Sequence, residues 1–64
     1  MLNNAELYTM TNGTILYNSK HCYMYSGTSD GTHYYFYLLD DNEDAEGEPD
    51  TVLTKSEVKR LNRL

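Results

Sequence analysis

Three side chains in this sequence carry the lone pairs that metal binding and nucleophilic catalysis require: His21, Cys22 and His33. His21 and Cys22 are adjacent, so on a strand they point to opposite faces. Together with His33 they match no zinc-ligand spacing. A Cys–His nucleophile pair also needs a third group to orient the base, and nothing in the sequence supplies one. The other chemically dense stretch is DDNEDAEGEPD, residues 40–50, with seven acids in eleven positions. Asp40, Asn42 and Asp44 fall at the first three ligand positions of an EF-hand loop. The sixth position is Ala45 instead of glycine, the twelfth is Thr51 instead of glutamate, and the preceding segment reads as a strand. Exposed carboxylates in such a cluster lack the burial that raises a pKa for acid catalysis. Gly13, Gly27, Gly31 and Gly47 are isolated and sit near turns, so no glycine run cradles a phosphate. These residues predict a protein that is not an enzyme and holds no cofactor or metal.

What remains is surface chemistry. The chain has seven tyrosines, one phenylalanine and no tryptophan. Five of the tyrosines lie between Tyr23 and Tyr37, in two segments, Cys22–Thr28 and Thr32–Asp40, that read as strands joined at Ser29-Asp30-Gly31. The register between these strands decides which side chains share a face. A two-residue loop at Asp30-Gly31 sets Tyr25 opposite Phe36 and mixes rings with hydroxyls on both faces. A three-residue loop, with Gly31 in the left-handed position of a bulged turn, sets Met24 opposite Phe36, Cys22 opposite Leu38, Tyr25 opposite Tyr35 and Tyr23 opposite Tyr37. A slip of one residue exchanges the faces. The three-residue loop segregates polarity better, so the expected core face is Cys22, Met24, Phe36 and Leu38. Tyr23, Tyr25, Tyr35 and Tyr37 then form a ladder on the reverse. Such a ladder either stabilises a curled sheet by cross-strand pairing or serves as a contact surface, since tyrosine offers large area at low entropy cost.

The elements that position these groups read as strands first and a helix last. Glu6–Thr11 alternates loosely, Asn12-Gly13 is a hairpin signal, and Thr14–Tyr17 is the expected return strand. Asn18-Ser19-Lys20 is a polar turn. Thr51–Leu53 is a short strand candidate. Thr54-Lys55-Ser56-Glu57 forms a capping box, and Val58, Leu61 and Leu64 give an apolar stripe at spacing three, which predicts a helix over 55–63. Lys59, Arg60 and Arg63 near its end complement the helix dipole. The expected fold is mainly β (small α+β): an antiparallel meander of four or five strands, an SH3-like barrel or curled sheet, with one C-terminal helix. It forms one domain spanning 1–64 with an acidic loop at 40–50.

At 64 residues, a chain buries only about 60% of the surface it exposes when unfolded, and with Cys22 as its one cysteine it has no internal disulfide to offset that. A lone thiol fits a reducing compartment. The segment MLNNAELYTM does not read as a signal peptide, and no run approaches the ~20 apolar residues of a membrane span. A cytoplasmic protein is expected. Residues 1–54 carry nine acids and one base, a charge of −8, and residues 55–64 carry four bases and Glu57, a charge of +3, which together give the net −5. Such a body repels nucleic acid and anionic membrane and selects a partner protein with a basic surface.

Residues 40–50, fully extended, span at most ~36–40 Å, or one charge per ~5 Å. One DNA strand carries a phosphate per ~3.4 Å. In size, charge and aromatic content the chain resembles small phage-encoded inhibitors that mimic DNA, although no motif aligns with any of them. The expected function is therefore an interaction module encoded by a phage or mobile element. Its contact residues, Tyr23, Tyr25, Tyr35, Tyr37, Asp40, Asp41, Glu43, Asp44, Glu46 and Glu48, would block a nucleic-acid-binding site on a host enzyme or defence protein. The alternative is a structural or regulatory adaptor that forms a homodimer through its tyrosine face.

Overall fold

A computed structural model describes residues 1–39 and 47–64. The chain runs α1 (Asn4–Tyr8), β1 (Ile15–Tyr17), β2 (Cys22–Ser29), β3 (His33–Leu38), β4 (Thr51–Thr54), α2 (Lys55–Lys59) and β5 (Asn62–Arg63). The strands form one antiparallel sheet in the order β4-β3-β2-β1-β5. β4 and β5 are its edges, so the sheet is not closed into the expected barrel. Both helices are short and pack on one face.

Two further expectations are corrected. Residues 4–8 are helical, where Glu6–Thr11 read as a strand. The reason is a capping box that the loose alternation obscured: the Asn3 side chain accepts from the Glu6 amide at 2.8 Å and Glu6 accepts from the Asn3 amide at 3.1 Å. The Asn12-Gly13 turn exists, with Gly13 at φ +91° and the Thr14 amide donating to the Thr11 carbonyl at 3.1 Å, but it connects α1 to β1 and not one strand to another.

The C-terminal helix starts as expected, with Thr54 and Glu57 in reciprocal hydrogen bonds. It ends at Lys59, four residues early, because the chain then turns tightly: the Leu61 amide donates to the Val58 carbonyl at 3.0 Å. Asn62 and Arg63 pair with Tyr17 and Leu16, covering the free edge of β1. The turn keeps Leu61 buried but leaves Leu64, the third residue of the expected stripe, 84% exposed. The N-terminus is tied to the same corner. The Leu2 amide donates to the Lys59 carbonyl at 2.9 Å, and the Leu2 side chain is buried.

The core is Leu2, Leu7, Leu16, Tyr23, Tyr25, Tyr34, Phe36, Val58 and Leu61, with Met10, Leu38 and Leu53 packed at its margin. Phe36 lies at its centre, 5.9 Å from the Tyr23 ring and 5.4 Å from that of Tyr25, both inclined as aromatic quadrupoles prefer. Among the described residues no helix is long and apolar enough to cross a membrane.

The turn between β2 and β3 is held by Asp30. Its carboxylate accepts from the Thr32 amide at 2.9 Å, the His33 amide at 2.7 Å and the Thr32 hydroxyl at 3.0 Å. These bonds, the Thr32 amide foremost, hold its pKa at about 2. A depressed carboxylate contributes stability above its unfolded-state pKa and loses that contribution as pH falls through the folded value. Asp30→Ala is therefore less stable than the native chain at pH 5. The gap closes as pH drops from about 4 toward 2. Thermal melts of both proteins across that range check this, and a gap that persists unchanged at pH 2 would contradict it.

Candidate functional site

The β2–β3 register assigns the tyrosines to their faces. Tyr23 opposes Leu38, Met24 opposes Tyr37 and Tyr25 opposes Phe36. The expected pairing of Met24 with Phe36 and of Tyr25 with Tyr35 is thus corrected by one residue. The four-ring ladder is broken up: Tyr23 and Tyr25 face the core, only 7% and 6% exposed, alongside Tyr34. Cys22 and Met24, expected inside, stand on the opposite face.

The physical reason lies toward the turn. Ser29 opposes Tyr34 while Tyr25 opposes Phe36, so Ser26, Gly27 and Thr28 face Tyr35 alone. This bulge, with Gly27 at φ +85°, absorbs two residues and sets the register below it independently of the loop length. The turn itself centres on Gly31-Thr32, with the Asp30 amide donating to the His33 carbonyl at 3.2 Å. Nor do the phenol hydroxyls forbid burial. The core is thin, the rings are buried while their tips reach its margin, and no described buried side-chain oxygen or nitrogen lacks a hydrogen bond. Burial pushes the Tyr25 phenol above its ordinary pKa, the nearby Tyr34 adds to this, and a hydrogen bond with Ser29 offsets part of it.

The second face of the sheet carries Ile15 and Tyr17 on β1, Cys22 and Met24 on β2, Tyr35 and Tyr37 on β3, and Val52 on β4, with the polar His33, Thr54 and Asn62 at its ends and edge, as the pairing and the alternation of side chains require. No described helix packs on it. Tyr17 and Val52 are 40% and 51% exposed, and Tyr35, Tyr37, Met24 and Ile15 are half-buried. Of the expected contact rings, then, Tyr35 and Tyr37 are on this face and Tyr23 and Tyr25 are not. Tyr17, whose register the Asn18–Lys20 turn leaves open in the sequence, joins them by pairing with Cys22, and Ile15, Met24 and Val52 are members that the sequence does not assign to this face. Their parity would have revealed them, given the register.

Leu39 and the 47–50 segment, the described flanks of the acidic stretch, are bonded to β2 and β3 at one end of this face. The Leu39 amide donates to the Cys22 carbonyl at 2.9 Å. The Tyr37 hydroxyl donates to the Gly47 carbonyl at 2.9 Å, and the Leu38 amide donates to Asp50 Oδ1 at 3.0 Å. Glu48 is exposed beside the second root. Asp40, Asp41, Glu43, Asp44 and Glu46, the remaining expected contact residues, lie outside the described residues. Elsewhere, His33 Nδ1 lies 3.6 Å from Asp30 Oδ2 and 3.1 Å from the Thr32 hydroxyl. Among the described residues no group of three His, Cys, Asp or Glu side chains is placed to hold a metal ion.

No protein-family model matches the chain, and neither a curated protein nor a solved structure is significantly similar to it.

Proposed function

We propose that this chain is a small acidic protein-interaction module, encoded by a phage or mobile element. Its acid-rich segment occupies a basic, nucleic-acid-binding site on a host enzyme or defence protein. The observation that supports this reading is the rooting of the segment. Between Leu39 and Gly47 the sequence carries Asp40, Asp41, Glu43, Asp44 and Glu46. Both flanks are hydrogen-bonded to β2 and β3. Tethering both ends of a segment to a strand pair restricts it more than a free tail is restricted, which lowers the entropy cost of presenting its charges to a partner. Glu48 adds a sixth at the root, and Tyr37 contributes by fixing Gly47. Tyr23 and Tyr25 take no part, being in the core.

Charge complementarity of this kind steers association and is sensitive to salt. Binding to the basic partner is expected to weaken steeply between about 50 and 200 mM salt and to be displaced by duplex DNA. The combined substitution Asp41→Asn, Glu43→Gln, Asp44→Asn and Glu46→Gln should reduce affinity by about 100-fold or more while leaving the circular dichroism spectrum unchanged. Titration calorimetry against the partner captured from host lysate reads this directly. Equal affinity of the neutralised and native chains would end the proposal.

A further inference from the structure

We propose that Asn12-Gly13 is a site of spontaneous covalent modification, deamidation through a cyclic imide, and that the fold gates it by holding both reacting atoms against β2. The inference is independent of what the acidic segment binds.

The chemistry is intramolecular. The Gly13 nitrogen attacks Asn12 Cγ, the Cγ–Nδ2 bond breaks, and ammonia leaves with the proton that the Gly13 amide gives up. Water then opens the imide. Addition at Cγ breaks the bond just formed and gives aspartate. Addition at the main-chain carbonyl carbon of residue 12 breaks the original peptide bond and gives isoaspartate, whose main chain runs through Cβ and Cγ. Glycine crowds the attacking nitrogen least, having no side chain. Asn12 and Gly13 are both exposed, so water and hydroxide reach them. Among the described residues nothing hydrogen-bonds the Asn12 carboxamide.

Two other pairs have related chemistry and are locked. Asn18 Oδ1 accepts from the Lys20 amide at 2.8 Å and from the His21 amide at 2.7 Å, which fixes its carboxamide, and the following residue, Ser19, carries a side chain. Asp30-Gly31 closes the same ring only from a neutral carboxyl, whereas the Thr32 and His33 amides hold Asp30 as the anion.

The gate is the seat of the turn on β2. The Thr14 amide donates to the Thr11 carbonyl at 3.1 Å and Gly13 has φ +91°, while no described non-glycine residue has positive φ. Thr11–Thr14 is therefore a type II turn. The Gly13 amide donates to the Tyr25 carbonyl at 2.8 Å, and the Tyr25 amide donates to the Thr14 carbonyl at 2.8 Å. The attacking nitrogen thus has its proton committed to β2. The carbon it must reach lies over the bulge: a methyl built on Gly27 would stand 3.5 Å from Asn12 Cγ and 3.0 Å from its Cβ. Attack requires the Gly13 amide to leave Tyr25 and the Asn12 side chain to leave Gly27, so the reaction proceeds from a locally opened turn. Aspartate, once formed, leaves the main chain as it was. Isoaspartate inserts a methylene ahead of Gly13, so the Thr14–Thr11 and Gly13–Tyr25 bonds no longer fit together and the entry into β1 stays loose.

Incubating the full chain in mildly alkaline buffer, folded and in urea above its unfolding transition, tests this. Peptide mapping with fragmentation reads residue 12 as asparagine, aspartate or isoaspartate. In the folded chain Asn12 should react before Asn18, and unfolding should speed its reaction by about tenfold or more. Hydrogen exchange of the Gly13 amide measures the same opening independently, and its protection factor should match the slowing of the reaction within about threefold. The isoaspartyl chain, separated by chromatography, should melt below the native chain. Asn12→Asp, which carries the same charge without the added methylene, should melt with the native chain. Equal rates in the folded and unfolded chain, modification of Asn18 ahead of Asn12, or a slowing far beyond the Gly13 protection factor, which would route the reaction through global unfolding, would each overturn the proposal. So would an isoaspartyl chain that melts with the native one.

Discussion

Phe36→Ala leaves the chain unfolded in water at 25 °C. Phe36 has no exposed surface and sits between the rings of Tyr23 and Tyr25. Truncating a buried phenylalanine costs about 3–5 kcal/mol in lost transfer energy and residual cavity. A single hydrophobic core of this size, with no internal disulfide, supplies about 3–5 kcal/mol. The loss is therefore comparable with the whole stability. The neighbouring Tyr35→Ala, on the other face, removes no core side chain and should keep the far-ultraviolet dichroism of the native sheet. Urea titrations of both variants check the contrast. A folded Phe36→Ala beside an unfolded Tyr35→Ala would reverse the assignment of the two faces.

Gly27→Ala is the second large effect, expected to cost about 2–3 kcal/mol. Two penalties combine at this position. The backbone is left-handed, φ +85°, and a Cβ would come within 3.0 Å of Asn12 Cβ, close to the Asn12 backbone. Gly31 isolates the first penalty, since its φ is +95° but nothing lies within 4 Å of the added methyl. Gly31→Ala should therefore cost only about 1 kcal/mol. If the two variants melt at the same temperature, the close approach of the Asn12 turn to the bulge carries no weight.

Gly27 also explains what the sequence left unreadable. The strand identities of residues 22–28 and 51–53 were legible from their aromatic and β-branched runs, and the start of α2 from Thr54 and Glu57. The faces were not. Alternation specifies a face only once the register is known, and the Ser29–Gly31 loop suggests one register whereas the Gly27 bulge sets another. A glycine inside an aromatic strand is the signal for such a bulge. The rule that hydroxyls avoid the core then misassigned Tyr23 and Tyr25, because a tyrosine in a thin core buries its ring and keeps its polar tip at the margin. At the C-terminus, spacing three fitted Val58 and Leu61 but carried no information that β1 needed an edge partner. That partner is Asn62 and Arg63, and the pairing stopped the helix. Of the proposed acidic site, the charge was legible from composition, whereas its rooting through Tyr37 and Asp50 depends on tertiary hydrogen bonds that no local pattern encodes.

The account depends on the division of the sheet into a core face containing Tyr23, Tyr25 and Phe36 and a second face, on which no described helix packs, containing Met24, Tyr35 and Tyr37. Proton–proton Overhauser contacts in solution report this division directly. Contacts from the Phe36 ring to those of Tyr23 and Tyr25, and from Tyr25 to Tyr34, whose centroid is 6.0 Å away, are the predicted result. Contacts from the Phe36 ring to the Met24 methyl, with Tyr25 on Tyr35, would place the rings on the outside and contradict the account.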